Sequence, residues 1–173
     1  MRTWIDLADI EMPQRVADLA RDARGYPIPY TVKYDNNGLP DFRVIDVDKW
    51  HRAIKARCCG ICGITLGGRI AFVGGPVSIA NRLFNDLPMH RDCAEYAMRV
   101  CPFIAAPKFL YARMLPEGTQ VNEHVCNERP DQFGLGISRG FKVVQLAGGV
   151  LALHAHTFES VEWWKHGQAL VAA

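Results

Sequence analysis

The stretch RCCGICG, Arg57 to Gly63, places three cysteines within five residues of a chain that has only six. A Cys-x-x-Cys loop can present two sulfurs from a single turn, as a tetrahedral metal site requires. Cys59 and Cys62 have that spacing, and Gly60 and Gly63 let the backbone fold tightly around the sulfurs. Cys58 stands one position outside it. Working outward, a second pair lies downstream in LPMHRDCAEYAMRVCPF, where His90 and Cys93 are three residues apart at the start of a predicted helix and so project to one side. Taken singly, each of the four reads as a small buried hydrophobe or a hydrogen-bonded core histidine. Four at matching spacings predict one zinc ion held by Cys59, Cys62, His90 and Cys93. Four protein ligands close the shell, so the ion is expected to be structural.

The segments around these ligands give an α+β pattern. PQRVADLARDAR, from Pro13 to Arg24, spaces Val16, Leu19 and Ala20 along one face of a predicted helix that Gly25 can end. YPIPYTVKY reads as extended, Asp35-Asn36-Asn37-Gly38 as a turn, and Phe42 to Ile45 as a returning strand. DVDKWHRAIKAR predicts a helix capped by Asp46 or Asp48, with Trp50, Ala53 and Ile54 facing inward, that delivers the chain to the cysteine loop. Beyond the loop, ITLGGRIAFVGG predicts a β-hairpin turning at Gly67-Gly68. Gly75-Pro76 opens a short helix through VSIANRLF, and Pro102 stops the helix that starts near His90. QLAGGVLAL predicts a second hairpin. VEWW falls on an expected terminal helix, with one of Trp163 and Trp164 facing the core.

Length and composition agree with one domain over residues 1–173: an N-terminal α/β segment (1–57), the zinc unit (58–104) and a C-terminal hairpin plus helix (105–173). About half the residues (49%) are hydrophobic and 22% are charged, which excludes a disordered chain. No apolar run reaches the ~20 residues needed to cross a bilayer, so no membrane association is expected. MRTWIDLADIEM lacks a basic segment followed by an apolar one, so the expected compartment is the cytoplasm, where close cysteines are metal ligands or reactive thiols rather than disulfides. The net charge of +2 does not announce a nucleic-acid binder. Residues 58–116 nevertheless hold six basic and three acidic side chains, a bias that permits phosphate contacts.

The order of knuckle, hairpin and helix resembles the treble-clef zinc fold. More broadly, RGYPIPY, PDFRVID with KWHRAI, CGICG, AFVGGP, PMHRDCAEYA with VCPF, GGVLAL and VEWW resemble a family of uncharacterised bacterial and bacteriophage proteins, over most of the chain. That resemblance places the family's CxxCG and HxxCA on Cys59, Cys62, His90 and Cys93. It implies no activity, and its phage-borne members imply action on a host complex.

The order also resembles HNH nucleases, in which a histidine on the hairpin activates water. Here AFVGGP puts Gly74 and Gly75 where Asp-His would commonly stand, and no histidine lies between Cys62 and His90. Asn81 and Arg82 can touch a phosphate, but the ~100-fold or greater contribution of a positioned base is missing. Two other constellations carry lesser signals. His154 and His156 fall on one face of a predicted strand near Glu159 and Glu162, and VNEHVCNERPD groups Glu123, His124, Cys126 and Glu128 in a polar loop. No phosphate-binding glycine loop, nucleophile elbow, heptad array or repeat is present in the sequence. The expected function is that of a non-catalytic cytoplasmic adaptor or regulator recognising a protein, or nucleic acid. The alternative is a divergent metal-dependent nuclease that recruits His51, His124 or the His154/His156 pair.

Overall fold

The computed structural model describes residues 5–106 and 129–171. After a 3-10 turn (Leu7–Asp9), α1 (Gln14–Ala17) is a single turn, shorter than the predicted Pro13–Arg24 helix. Val16 is buried from it, while Asp22 folds the following chain into a turn by accepting from the Arg24 and Tyr26 amides. Local side-chain bonding of this kind competes with helix propagation.

Strands β1 (Val32–Tyr34) and β2 (Pro40–Ile45) form the predicted hairpin around Asp35–Gly38. Asp35 accepts from the amides of Asn37 and Leu39, and Gly38 supplies a φ of 76°. Helix α2 (Val47–Ala56) is capped by the Asp46 carboxylate, which accepts from the Lys49 amide, and buries Trp50 and Ala53. The Trp50 indole donates to the Asn85 carbonyl at 2.8 Å, tying this helix to the segment that leads into the second ligand pair. Next come β3 (Ile70–Gly74), α3 (Pro76–Asn81) with its proline in the first turn, β4 (Leu83–Phe84), α4 (Arg91–Val100) and α5 (Pro102–Ala105). Pro102 both ends α4 and opens α5, and the Arg129 guanidinium binds the carbonyls of Phe103, Ile104 and Ala106 at the far end of α5.

The remaining strands are β5 (Phe133–Ser138), β6 (Phe141–Gln145), β7 (Leu151–Ala155), β8 (Phe158–Lys165) and β9 (Gln168–Ala169). They complete a four-stranded sheet ordered β3-β5-β8-β9 and a three-stranded sheet ordered β4-β7-β6, antiparallel throughout. The hairpin predicted in QLAGGVLAL is β6–β7, with Gly148 and Gly149 both at positive φ. One buried cluster runs from Val16 through Cys59 and Cys93 to Trp164. At its aromatic centre Phe72 lies 4.8 Å from Phe84 and 6.3 Å from Phe141, ring centre to ring centre. Helices and antiparallel strands thus share one core, the expected α+β class.

The helix expected through Phe84 stops at Asn81, where left-handed Arg82 (φ 54°) turns the chain into β4, and two further expected elements are replaced. Gly67 and Gly68 adopt no positive φ and do not turn a hairpin. Ile64–Leu66 folds back on Arg57–Cys59 instead, and β3 takes its antiparallel partner from β5, far downstream. The predicted terminal helix is β8. Its aromatic and β-branched residues suit a pleated surface, and glycines on β5 make room for Phe158 of β8 and for Ile79 of α3. A Cβ on Gly136 would lie 2.6 Å from the Phe158 ring, and one on Gly134 would lie 2.6 Å from Ile79 Cγ1. As a strand, β8 still divides its tryptophans as expected, with Trp164 buried and Trp163 half-buried. Gly136→Val is therefore expected to cost about 1–3 kcal/mol through overpacking, read as a lower denaturation midpoint at unchanged m-value.

Candidate metal centre

The site begins where α2 ends. Arg57 takes a left-handed conformation (φ 53°) and its amide bonds back to the Ala53 and Ile54 carbonyls, which turns the chain sharply into Cys58. The Cys59 amide donates to the Ile64 carbonyl at 2.8 Å and the Gly63 amide to the Cys59 carbonyl at 2.9 Å, closing the loop on itself. Gly63 has a φ of 72°, and a Cβ there would strike the Tyr30 ring at 2.9 Å.

Gly60 joins this loop to the second pair. Its amide donates to the Pro88 carbonyl at 3.0 Å, and a Cβ on it would lie 2.9 Å from Leu87 Cβ, so the approach is open only to glycine. Met89 exchanges amide and carbonyl with Ala71 of β3, both at 2.8 Å, which fixes the next residue, His90, as the N-cap of α4. Cys93 follows in the first turn of that helix.

The donor atoms of Cys59, Cys62, His90 and Cys93 all lie within 4.8 Å of one another, positioned to hold a metal ion. A tetrahedral shell with bonds of ~2.0–2.3 Å separates its ligand atoms by roughly 3.3–3.8 Å. Cys62 Sγ and His90 Nδ1 are 3.4 Å apart, within that range. The other imidazole nitrogen, Nε2, lies 3.1 Å from the Thr65 carbonyl oxygen. With the proton on Nε2 donated to Thr65, Nδ1 turns its lone pair to the site, the outer hydrogen bond that ligating histidines commonly make. Cys59 and Cys93 are fully buried, whereas Cys62 and His90 form the rim.

Electrostatics prepare the sulfurs unequally. The Cys59 thiol is lowered to about 5, chiefly by the hydrogen bond from the Cys93 thiol, with the amides of Cys62, His90 and Ile61 adding to it against the cost of burial. Cys93 is raised because it is the donor to Cys59 and is itself desolvated. Burial raises Cys62, opposed by the Ile64 amide. A cation that replaces the protons on Cys62 and Cys93 relieves both penalties, so metal uptake releases protons.

The other sequence candidates are placed elsewhere. Cys58 directs its thiol to the Ala56 carbonyl at 3.7 Å, outside the four-ligand group. Burial raises the Cys101 thiol, while Glu123, His124, Cys126 and Glu128 lie outside the described residues. His154 is on β7 opposite Lys142, and the His156 ring lies against Gly140; neither joins a metal-ligating group among the described residues. Glu159 is paired with Arg69 and Arg139, and Glu162 with Arg91. His51 is exposed on α2, edge-on to Trp50. Arg82 donates to the Thr157 hydroxyl. Gly74 and Gly75 answer to packing: Cβ atoms there would meet Ser78 and Phe84, and Pro130, at 2.8–2.9 Å. Sequence reading missed the Thr65 carbonyl, because a backbone acceptor carries no residue signature. No family model, curated protein or solved structure matches the chain.

Cys59→Ser and Cys62→Ser are expected to abolish stoichiometric metal binding, and Cys58→Ser to leave it intact, by elemental analysis of purified protein. Because Cys62 and Cys93 hold their protons more tightly than ordinary thiols, protons compete with the metal for them, and affinity should fall as pH drops from 7 toward about 5. A chelator competition series across that range measures it.

Proposed function

We propose that Cys59, Cys62, His90 and Cys93 hold a single structural zinc ion, and that the protein is a non-catalytic cytoplasmic adaptor or regulator whose binding surfaces are set by that centre. The observation carrying this reading is the convergence of three thiols and one imidazole, a soft donor set that suits zinc and fills its tetrahedral shell. A filled shell supports a structural ion, since catalytic zinc keeps one position for water or substrate. The location of the ligands agrees. They join a loop after α2 to the start of α4, so the ion would tie together elements that otherwise meet through short segments of backbone. In zinc-dependent small domains, binding contributes on the order of 10 kcal/mol to folding.

The glycines at 74 and 75 also favour this reading over nuclease chemistry. A side chain carrying a base at either position would collide with Ser78, Phe84 or Pro130.

Chelation of purified protein is expected to remove one zinc per chain and to lower the thermal midpoint by ten degrees or more, with recovery on adding zinc. Capture from a cell lysate, with and without nuclease digestion, should retain a partner only with zinc-loaded protein. Magnesium- or manganese-dependent strand cleavage by the zinc-loaded protein, lost in His51→Ala, His124→Ala or His154→Ala, would overturn the non-catalytic reading.

A further inference from the structure

The β1–β2 hairpin carries an arrangement that the metal centre does not use. Tyr34 stands opposite Pro40 in the ladder, and Phe42 is two residues along the same strand from Pro40. Tyr34 ends β1, and Phe42 stands where β2 bulges and the register passes from Asp41 to Ile45. They are 42% and 40% exposed, high for large rings on a small sheet. Each has a cation beside it: Lys49 Nζ is 5.2 Å from the Tyr34 ring centre, and the Arg24 guanidinium carbon is 5.4 Å from that of Phe42. Tyr30 and Tyr26 lie on the other sides of those cations, at 6.0 and 5.1 Å. The result is two groups of ring, cation and ring: Tyr30–Lys49–Tyr34 and Tyr26–Arg24–Phe42.

Of the two cations, Arg24 is paired with Asp22, whereas the charge of Lys49 has no carboxylate beside it among the described residues. Residues 21–57 hold eight basic and five acidic side chains, although the whole chain is only +2. Four of those acids are committed to local structure. Asp22 pairs with Arg24 and Asp41 with Arg43, Asp35 closes the hairpin turn, and Asp46 caps α2. Lys49 donates to the Val32 carbonyl, a neutral acceptor that leaves its charge in place. Among the described residues no carboxylate pairs with Lys49 or with Arg52, its neighbour three positions on along α2.

As a deepening of the adaptor reading, on which it rests, we infer that the exposed rings of this hairpin and the adjoining α2 bind single-stranded nucleic acid, with bases stacked on Tyr34 and Phe42 and the phosphates following Lys49 and Arg52. The argument is chemical complementarity. An apolar peptide would use the rings but bury the cations, and an acidic peptide would use the cations but leave the rings wet. Nucleotides bring flat π-faces and negative charge together. A duplex keeps its base faces stacked inside, so the exposed rings select an unpaired strand.

The test uses the zinc-loaded full chain and fluorescence anisotropy with labelled oligothymidylate, oligouridylate and a DNA duplex of equal length. Single strands should bind, with the DNA and RNA arms distinguishing the source, and the duplex should bind at least tenfold more weakly. Tyr34→Ala and Phe42→Ala should each weaken single-strand binding about tenfold or more. Tyr34→Leu and Phe42→Leu, which keep apolar bulk but remove the ring, should do the same and stand in where an alanine variant fails to fold. Lys49→Ala with Arg52→Ala should flatten the dependence of log affinity on log salt by about 0.7 for each phosphate no longer neutralised. Zinc content should be unchanged in all of them. Absence of single-strand binding at low salt, equal binding of the duplex, or unaltered binding by the folded leucine variants would overturn the inference and leave the adaptor reading standing. Strand cleavage during the assay would instead overturn the adaptor reading.

Discussion

The approach of the Gly60 backbone to Leu87 and Pro88 is the constraint on which the rest of the structure depends. At this point the cysteine loop and the segment before α4 come closer than any side chain on Gly60 would allow. The hydrogen bond from Gly60 to Pro88 sets their register, and the paired bonds between Met89 and Ala71 pass that register to β3. Two ligand pairs that are remote in sequence can share one centre because this backbone contact has already aligned them. The metal site and the central sheet are thus anchored to the same few residues.

The parts legible in the sequence are those set by local chemistry. The capping carboxylate of Asp46, the Asp35–Gly38 turn, Pro76 at the start of α3 and the stop at Pro102 all act within a few residues, and each element appears where those signals put it. The four residues positioned to hold a metal are legible for the same reason. Cys59 and Cys62 share a turn, His90 and Cys93 share a helix start, and the pairing of the two pairs follows from tetrahedral coordination.

The errors share a different cause. Ile70–Gly74 carries no mark of its partner, because antiparallel pairing with Phe133–Ser138 is decided by packing across most of the chain. VEWW, Val161 to Trp164, reads as helix because so short a span fits either period. The space that receives its strand lies elsewhere, at Gly136 on β5, where the Phe158 ring packs. In the sequence, glycine in β5 signals weak strand propensity; in the fold, it is the space in which β8 lies.

The placement of β5 between β3 and β8 has a consequence for synthesis. The last ligand, Cys93, is made about forty residues before Phe133, so a nascent chain holds a complete ligand set while β3 still lacks its neighbour. Over that interval the edge of β3 that β5 will occupy offers unpaired amides and carbonyls beside buried-type side chains, the kind of edge that recruits other strands. A metal taken up by that set would close the cysteine loop onto α4 early, beside the backbone pairing of Ala71 with Met89 that holds the start of β3, and so limit how far that edge can wander.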